Sequence, residues 1–221
     1  MTSPVAGGPA FPNLFSPLEI GRMTVRNRIL STAHYTGYGA GGLPSEQHKN
    51  YWASKARGGI GLIVTEVQPV HPSAGISERM IHCWRDEVVD AWAPVVEAVH
   101  AHGAKLVAQL WHPGRQGGGN EQYPSWAPSA LPNPATGVTP HEMTADEVRE
   151  VVASFGVAAR NMQAAGLDGV ELHGAHGYLI EQFLSPLTNR RTDEYGGSLE
   201  GRLRFAQEVI DTTREAVGTE Y

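Results

Sequence analysis

The chain has 221 residues, 41% hydrophobic and 18% charged, with 17 basic against 23 acidic side chains and a formal net charge of −6. Such a chain buries a sizeable core and is not disordered. Its scattered lysines and arginines argue against a nucleic-acid partner, the lack of any apolar window near ~18 residues argues against a membrane span, and the single Cys83 excludes an internal disulfide or a multi-cysteine metal site. A cytoplasmic location is expected. Residues 1–12 (MTSPVAGGPAFP) are small and proline-rich, without the basic start or apolar stretch of a signal peptide, and read as a flexible lead-in.

Arg28 to Tyr35 reads as a first strand. Ser45 to Arg57 reads as a helix closed by Gly58-Gly59. Ile60 to Val67 (IGLIVTEV) has the apolar, β-branched character of a strand buried on both faces, and Asp86 to His102 has helical periodicity ending at Gly103. Ala104 to Trp111 is the third strand. His112 to Glu142 is a long proline- and glycine-rich connection, the kind that forms lids and binding loops. Thr144-Ala-Asp-Glu147 is a capping-box signature, predicting a helix over Glu147 to Ala165 with Gly166 as its stop. Asp168 to His173 is the fourth strand, followed by a short helix from Tyr178 to Leu184, a loop from Ser185 to Gly197 and an amphipathic helix from Leu199 to Val217.

Strands alternating with helices predict a parallel α/β sheet with helical crossovers. A complete eight-unit barrel takes about 250 residues, whereas this chain carries about four units. Two readings follow: a flavodoxin-like or half-barrel fold in its own right, or the first half of something larger. The stop at Gly218-Thr-Glu-Tyr221, just after a helix, favours the second.

The run Asp168-Gly-Val-Glu-Leu-His173-Gly-Ala-His176-Gly-Tyr178 is an apolar strand ending in two histidines and a tyrosine. In a parallel barrel, catalytic side chains sit at the carboxyl ends of strands, so the chemistry is expected here. The histidine spacing, with His112 as a third ligand, also suits a zinc site, but no matching carboxylate motif accompanies it, and no metal is expected. Gln109 inside an apolar strand must find polar partners. Arg190, Arg191, Asp193 and Glu194 read as a loop tied by ion pairs rather than as a phosphate site. Trp111, Tyr123 and Trp126 either line a pocket or cover the barrel mouth.

The stretch from His173 to Ser198 (HGAHGYLIEQFLSPLTNRRTDEYGGS) closely resembles the old yellow enzyme family of FMN-dependent oxidoreductases. Leu14 to Gly21 with Val25-Arg-Asn-Arg28, then Gln109-Leu-Trp-His-Pro-Gly-Arg115, then Ala127-Pro-Ser-Ala130 agree with the family in the same order, so the resemblance covers nearly everything from Asn13 onward. It implies a (β/α)8 TIM barrel, of which residues 13–221 are the amino-terminal part, with FMN at the carboxyl end of the strands and NADH or NADPH as reductant. It places Thr32, Ala33, His34, Tyr35 and the Val67 backbone at the flavin, and Gln109 on its pyrimidine edge. His173 and His176 match the pair that binds the carbonyl oxygen of an activated alkene, and Tyr178 matches the proton donor. Tyr35 stands where the amine-dehydrogenase branch attaches flavin to a cysteine, so FMN is expected to be non-covalent.

The Arg26-to-His34 segment is most similar to the larger dienoyl reductase and amine dehydrogenase branch, which often carries an iron–sulfur cluster and a second nucleotide-binding region. Such a cluster is expected only beyond these residues. The family's phosphate site follows the later strands, so FMN binding by the 221 residues alone is expected to be weak. Three functions follow: reduction of an enone, enal or dienoyl thioester; oxidative demethylation of a small alkylamine; or a flavin-free, non-catalytic binding module. The expected partner is a small molecule, without nucleic acid or membrane, and a homo-oligomer is left open.

Overall fold

A computed structural model describes residues 11–74, 77–117 and 124–221. The expected lead-in lies almost wholly outside these, as does Tyr123. An antiparallel hairpin opens the chain, β1 (Leu18–Ile20) and β2 (Met23–Val25), turning at Gly21 with φ of 57°. Then come β3 (Leu30–Ser31), α1 (Glu46–Arg57), β4 (Leu62–Pro69), α2 (Val88–His100) and β5 (Lys105–Trp111). The long connection contains a second small pair, β6 (Trp126–Ala127) and β7 (His141–Glu142). It leads to α3 (Ala145–Ala164), β8 (Gly169–Leu172), α4 (Leu179–Leu184) and α5 (Leu199–Val217).

β3, β4, β5 and β8 form one parallel sheet in that order. Spatial order follows chain order without reversal, so the sheet has no topological switch point and is not doubly wound like flavodoxin. It is the arrangement of four successive units of a (β/α)8 barrel. Strand alternation sorts the side chains by face. Ile63, Leu106, Ala108 and Leu110 join the helices in the core with Trp52, Trp92, Phe155, Phe183 and Phe205. The other face carries Leu62, Val64, Val107 and Glu171, which line a cavity of about 410 Å³ reaching the hairpin and Tyr221.

Close helix contacts have local causes. A Cβ on Gly156 of α3 would sit 2.9 Å from Thr212 Cγ2, so glycine lets α3 and α5 approach. Thr144 caps α3 by accepting from the Glu147 N–H, and Glu147 accepts in return from the Thr144 N–H, as the capping box predicts. Three residues of the charge run tie the loop down: Arg191 is buried, pairs with Asp193 and donates to the carbonyls of Pro128 and Met143, while Glu194 pairs with Arg149; the Arg190 side chain is exposed.

One predicted strand is much shorter than expected. Of Arg28 to Tyr35 only Leu30–Ser31 pairs with a neighbour. Beyond it the backbone turns to side chains for partners: Glu66 accepts from the N–H groups of Thr36 and Gly37 and from the Thr36 hydroxyl, and it is paired with His48, both groups fully buried.

Candidate active site

Register places the carboxyl ends of the strands side by side: Pro69 lies opposite Trp111, and Leu110 opposite Leu172. Alternation then puts Gln109, Trp111, Glu171 and His173 on the face turned away from the helices. Between Val64 and Val67 the β4–β5 register shifts, so a bulge at Thr65–Glu66 directly precedes Val67. Bulges of this kind re-aim backbone beside active sites.

His173, His176 and Tyr178 converge. The His173 and His176 rings have centroids 5.1 Å apart, and Tyr178 lies 4.8 Å from His173 and 6.5 Å from His176. His176 Nδ1 faces His173 Nε2 at 3.4 Å. His173 Nδ1 accepts from the Ala175 N–H, which leaves its proton on Nε2, the nitrogen facing His176. Burial, and after it the neighbouring His176, holds the His173 imidazole below its ordinary pKa, while Glu171 and Glu181 act in the opposite direction. His173 is therefore a neutral N–H donor at pH 7. Tyr178 packs edge-on against Trp111 at 5.2 Å, so Trp111 belongs to this cluster. Trp126 stands instead against His71 and His141.

Gln109 donates through Nε2 to Glu171 on the adjacent strand, and its Oε1 has no hydrogen-bond partner among the described residues. The carboxylate dictates which end of the carboxamide is which, because it can only accept. Sequence reasoning missed Glu171; the available signal was a carboxylate two residues before His173, on the same face of an apolar strand. Thr32 and Tyr35 are exposed at the end of β3, and Ala33 is half-buried between them. His34, expected at the flavin, contacts α1: its Nε2 is 2.6 Å from the Tyr51 hydroxyl, and its ring lies edge-on to Tyr51 and Trp52.

His112 is occupied elsewhere. Its Nδ1 accepts from the Gly114 N–H and its Nε2 donates to Ser73 Oγ; Ser73 continues to His71 Nδ1, and His71 Nε2 to Glu150. The chain of bonds ties the segment after β4 to the segment after β5 and to α3. Among the described residues no three His, Cys, Asp or Glu side chains are placed to hold a metal ion, and no helix is long and apolar enough to cross a membrane.

The model of the NADH:flavin oxidoreductase / NADH oxidase family matches residues 13–221. A metal reductase of Desulforamulus reducens is 44% identical over 94% of this chain, which spans 31% of that relative. Among solved structures, morphinone reductase in complex with tetrahydroNAD superposes with a TM-score of 0.87 at 34% identity, covering 95% of this chain and 62% of that one. A 2-naphthoyl-CoA reductase bound to 2-naphthoyl-CoA gives a TM-score of 0.89 at 30% identity, covering 96% and 34%. The chain thus spans between about a third and three fifths of the length of these proteins.

Proposed function

This chain belongs to the NADH:flavin oxidoreductase / NADH oxidase family, and from that premise we propose that it carries the substrate-binding side of an FMN-dependent site that reduces the alkene of an enone, enal or dienoyl thioester at the expense of NADH or NADPH. The carrying observation is the pair of facing imidazole nitrogens, 3.4 Å apart, with a tyrosine beside them at the carboxyl end of β8. FMN, when bound, supplies the hydride transfer.

The residues present fit such a cofactor. Gln109, pinned through one N–H by Glu171, offers a second N–H and a free Oε1, the donor–acceptor pair that the pyrimidine edge of a flavin requires. A bulge directly precedes Val67, which lies opposite Gln109 in the β4–β5 register. Thr32, Ala33 and Tyr35 close the side nearest β3, and the position of His34 against Tyr51 gives it the role of bracing that wall from behind.

His173 Nε2–H and His176 Nδ1–H, in the tautomer that donates from that nitrogen, would both aim at one carbonyl oxygen. Two such donors stabilise the negative charge that gathers on that oxygen as the β-carbon is reduced, by the logic of an oxyanion hole. The Tyr178 hydroxyl, which has no hydrogen-bond partner among the described residues, would deliver its proton to the α-carbon. The likeness to a 2-naphthoyl-CoA reductase supports an acyl thioester as one substrate class.

The test uses the protein with FMN in excess under anaerobic conditions. NADH or NADPH is expected to bleach the flavin band and 2-cyclohexen-1-one or a crotonyl thioester to restore it. Bleaching by dimethylamine but by neither nicotinamide would replace this reading with amine oxidation. Tyr178→Phe is expected to leave the bleaching rate within about twofold and to slow alkene turnover on the order of 10²-fold; equal turnover would remove the tyrosine's acid role.

A further inference from the structure

His176 is the only non-glycine residue among those described with a positive φ, 60°. A left-handed backbone at a residue with a Cβ costs on the order of 1 kcal/mol and is held where its surroundings impose it. Here the surroundings are side-chain amides. Gln116 Nε2 donates to the carbonyls of His176 (2.9 Å) and Gly177 (2.7 Å). Gln182 Nε2 donates to the carbonyls of Gly177 (2.6 Å) and Pro113 (3.0 Å), and its Oε1 accepts from the Arg115 N–H at 3.0 Å. Glu181 accepts from the Gly177 N–H at 2.7 Å.

The glycines of both segments are shaped by these amides. A Cβ on Gly114 would overlap the Gln182 carboxamide, and one on Gly177 would lie 2.6 Å from Gln116 Nε2. Both glycines also have positive φ, 58° and 72°. Two segments that are far apart in sequence, Pro113–Gln116 after β5 and His176–Tyr178 after β8, are therefore clasped by two glutamines, one from each side. Gln182 is buried and spends every polar atom on backbone groups, while Gln116 is exposed and reaches in from the rim.

The geometry points to Gln116 and Gln182 as positioning residues that hold His176 in its left-handed conformation and so fix where His176 and Tyr178 meet the substrate oxygen and α-carbon. The assignment rests on the alkene-reduction reading for its catalytic consequence, but the conformational part stands without FMN or substrate. With the clasp released, His176 returns to a negative φ, its Nδ1 leaves the point shared with His173 Nε2, and carbonyl binding suffers.

The experiment is heteronuclear NMR of the full 221-residue chain without cofactor, paired with half-reaction kinetics in excess FMN. The wild type is expected to show the strong intraresidue HN–Hα NOE of positive φ at His176 and NOEs between the His173 and His176 rings. Gln116→Ala and Gln116→Glu remove the donor at an exposed position without touching the core, and both are expected to lose these signals; Gln116→Lys, which restores an N–H donor of similar reach, is expected to recover them. In the kinetics, Gln116→Ala raises KM for the alkene on the order of tenfold. Gln182→Glu, which keeps the acceptor for Arg115 and removes the donors, is expected to behave like Gln116→Ala. Persistence of the positive-φ signature in both Gln116→Ala and Gln182→Glu overturns the clasp, as does an unchanged KM for the alkene in a variant that has lost the signature. If the signature is lost as expected but no variant, wild type included, reduces an alkene, the proposed function fails and the clasp stands.

Discussion

Replacing His112 with glutamine tests whether the bond chain behind the site depends on a neutral imidazole. His112 is 2% exposed, and burial, with the neighbouring His71 second, pushes its pKa down to about 3 from an ordinary value of 6.5. Between those values the unfolded chain binds a proton at this position and the folded chain does not, so stability rises with pH across the window and falls as the solution is acidified through it. At about 1.4 kcal/mol per pH unit, the roughly 1.5 units from 6.5 down to pH 5 cost about 2 kcal/mol from this residue alone. His71, also lowered chiefly by burial, adds in the same direction and is present in both proteins. In His112→Gln the carboxamide still has a donor for Ser73 and an acceptor for the Gly114 N–H, but no titrating group. Urea unfolding at pH 7 and pH 5 measures the effect. The wild type is expected to lose about 2 kcal/mol more than His112→Gln between the two pH values. Equal losses would show that His112 takes up a proton in the folded chain as readily as in the unfolded one, and that its Nδ1 is not the acceptor for the Gly114 N–H.

Two further substitutions probe the site and its support. Glu171→Leu removes the group that orients the Gln109 carboxamide, and a loss on the order of tenfold in FMN affinity is expected from fluorescence titration; an unchanged Kd would show that Gln109 needs no such partner. Phe205→Ala empties a fully buried position where the ring stacks on Phe183 with centroids 4.2 Å apart, and urea unfolding is expected to show a loss of about 3–5 kcal/mol; a loss below about 1 kcal/mol would place the ring outside the cooperative core.

What the sequence disclosed and what it concealed divide along the range of the interactions. The apolar run of β4, the cap of α3 and the polar end of β8 are written in consecutive residues, so periodicity and capping rules reach them. The hairpin of β1 and β2 was equally local, with alternating residues on either side of Gly21-Arg22, and could have been read by the same rules. The shortness of β3 is different in kind. The residues after Ser31 look like strand but join no ladder, and directly after them a buried carboxylate from β4 takes up the amide groups of Thr36 and Gly37. Nothing within Arg28 to Tyr35 announces that carboxylate. The partner of His34 is likewise distant in sequence, since Tyr51 lies seventeen residues later.

The same division explains why the catalytic candidates were legible and their rigidity was not. His173, His176 and Tyr178 lie within six residues, and their types alone suggest chemistry. Their geometry is imposed from elsewhere: the Leu179 N–H donates to the His112 carbonyl, Gln116 holds His176 and Gly177, and the imidazole of His112 is committed to Ser73. Each bond joins segments that follow different strands, so the site is fixed by loop-to-loop contacts at the sheet's carboxyl edge rather than by the ladder beneath. A buried amide or imidazole deprived of its partner pays the desolvation penalty of about 1–3 kcal/mol, as a buried group of the ladder would. It follows that a substitution at Ser73, which does not touch His173, His176 or Tyr178, disturbs that cluster through His112, whose carbonyl accepts from the Leu179 N–H beside Tyr178.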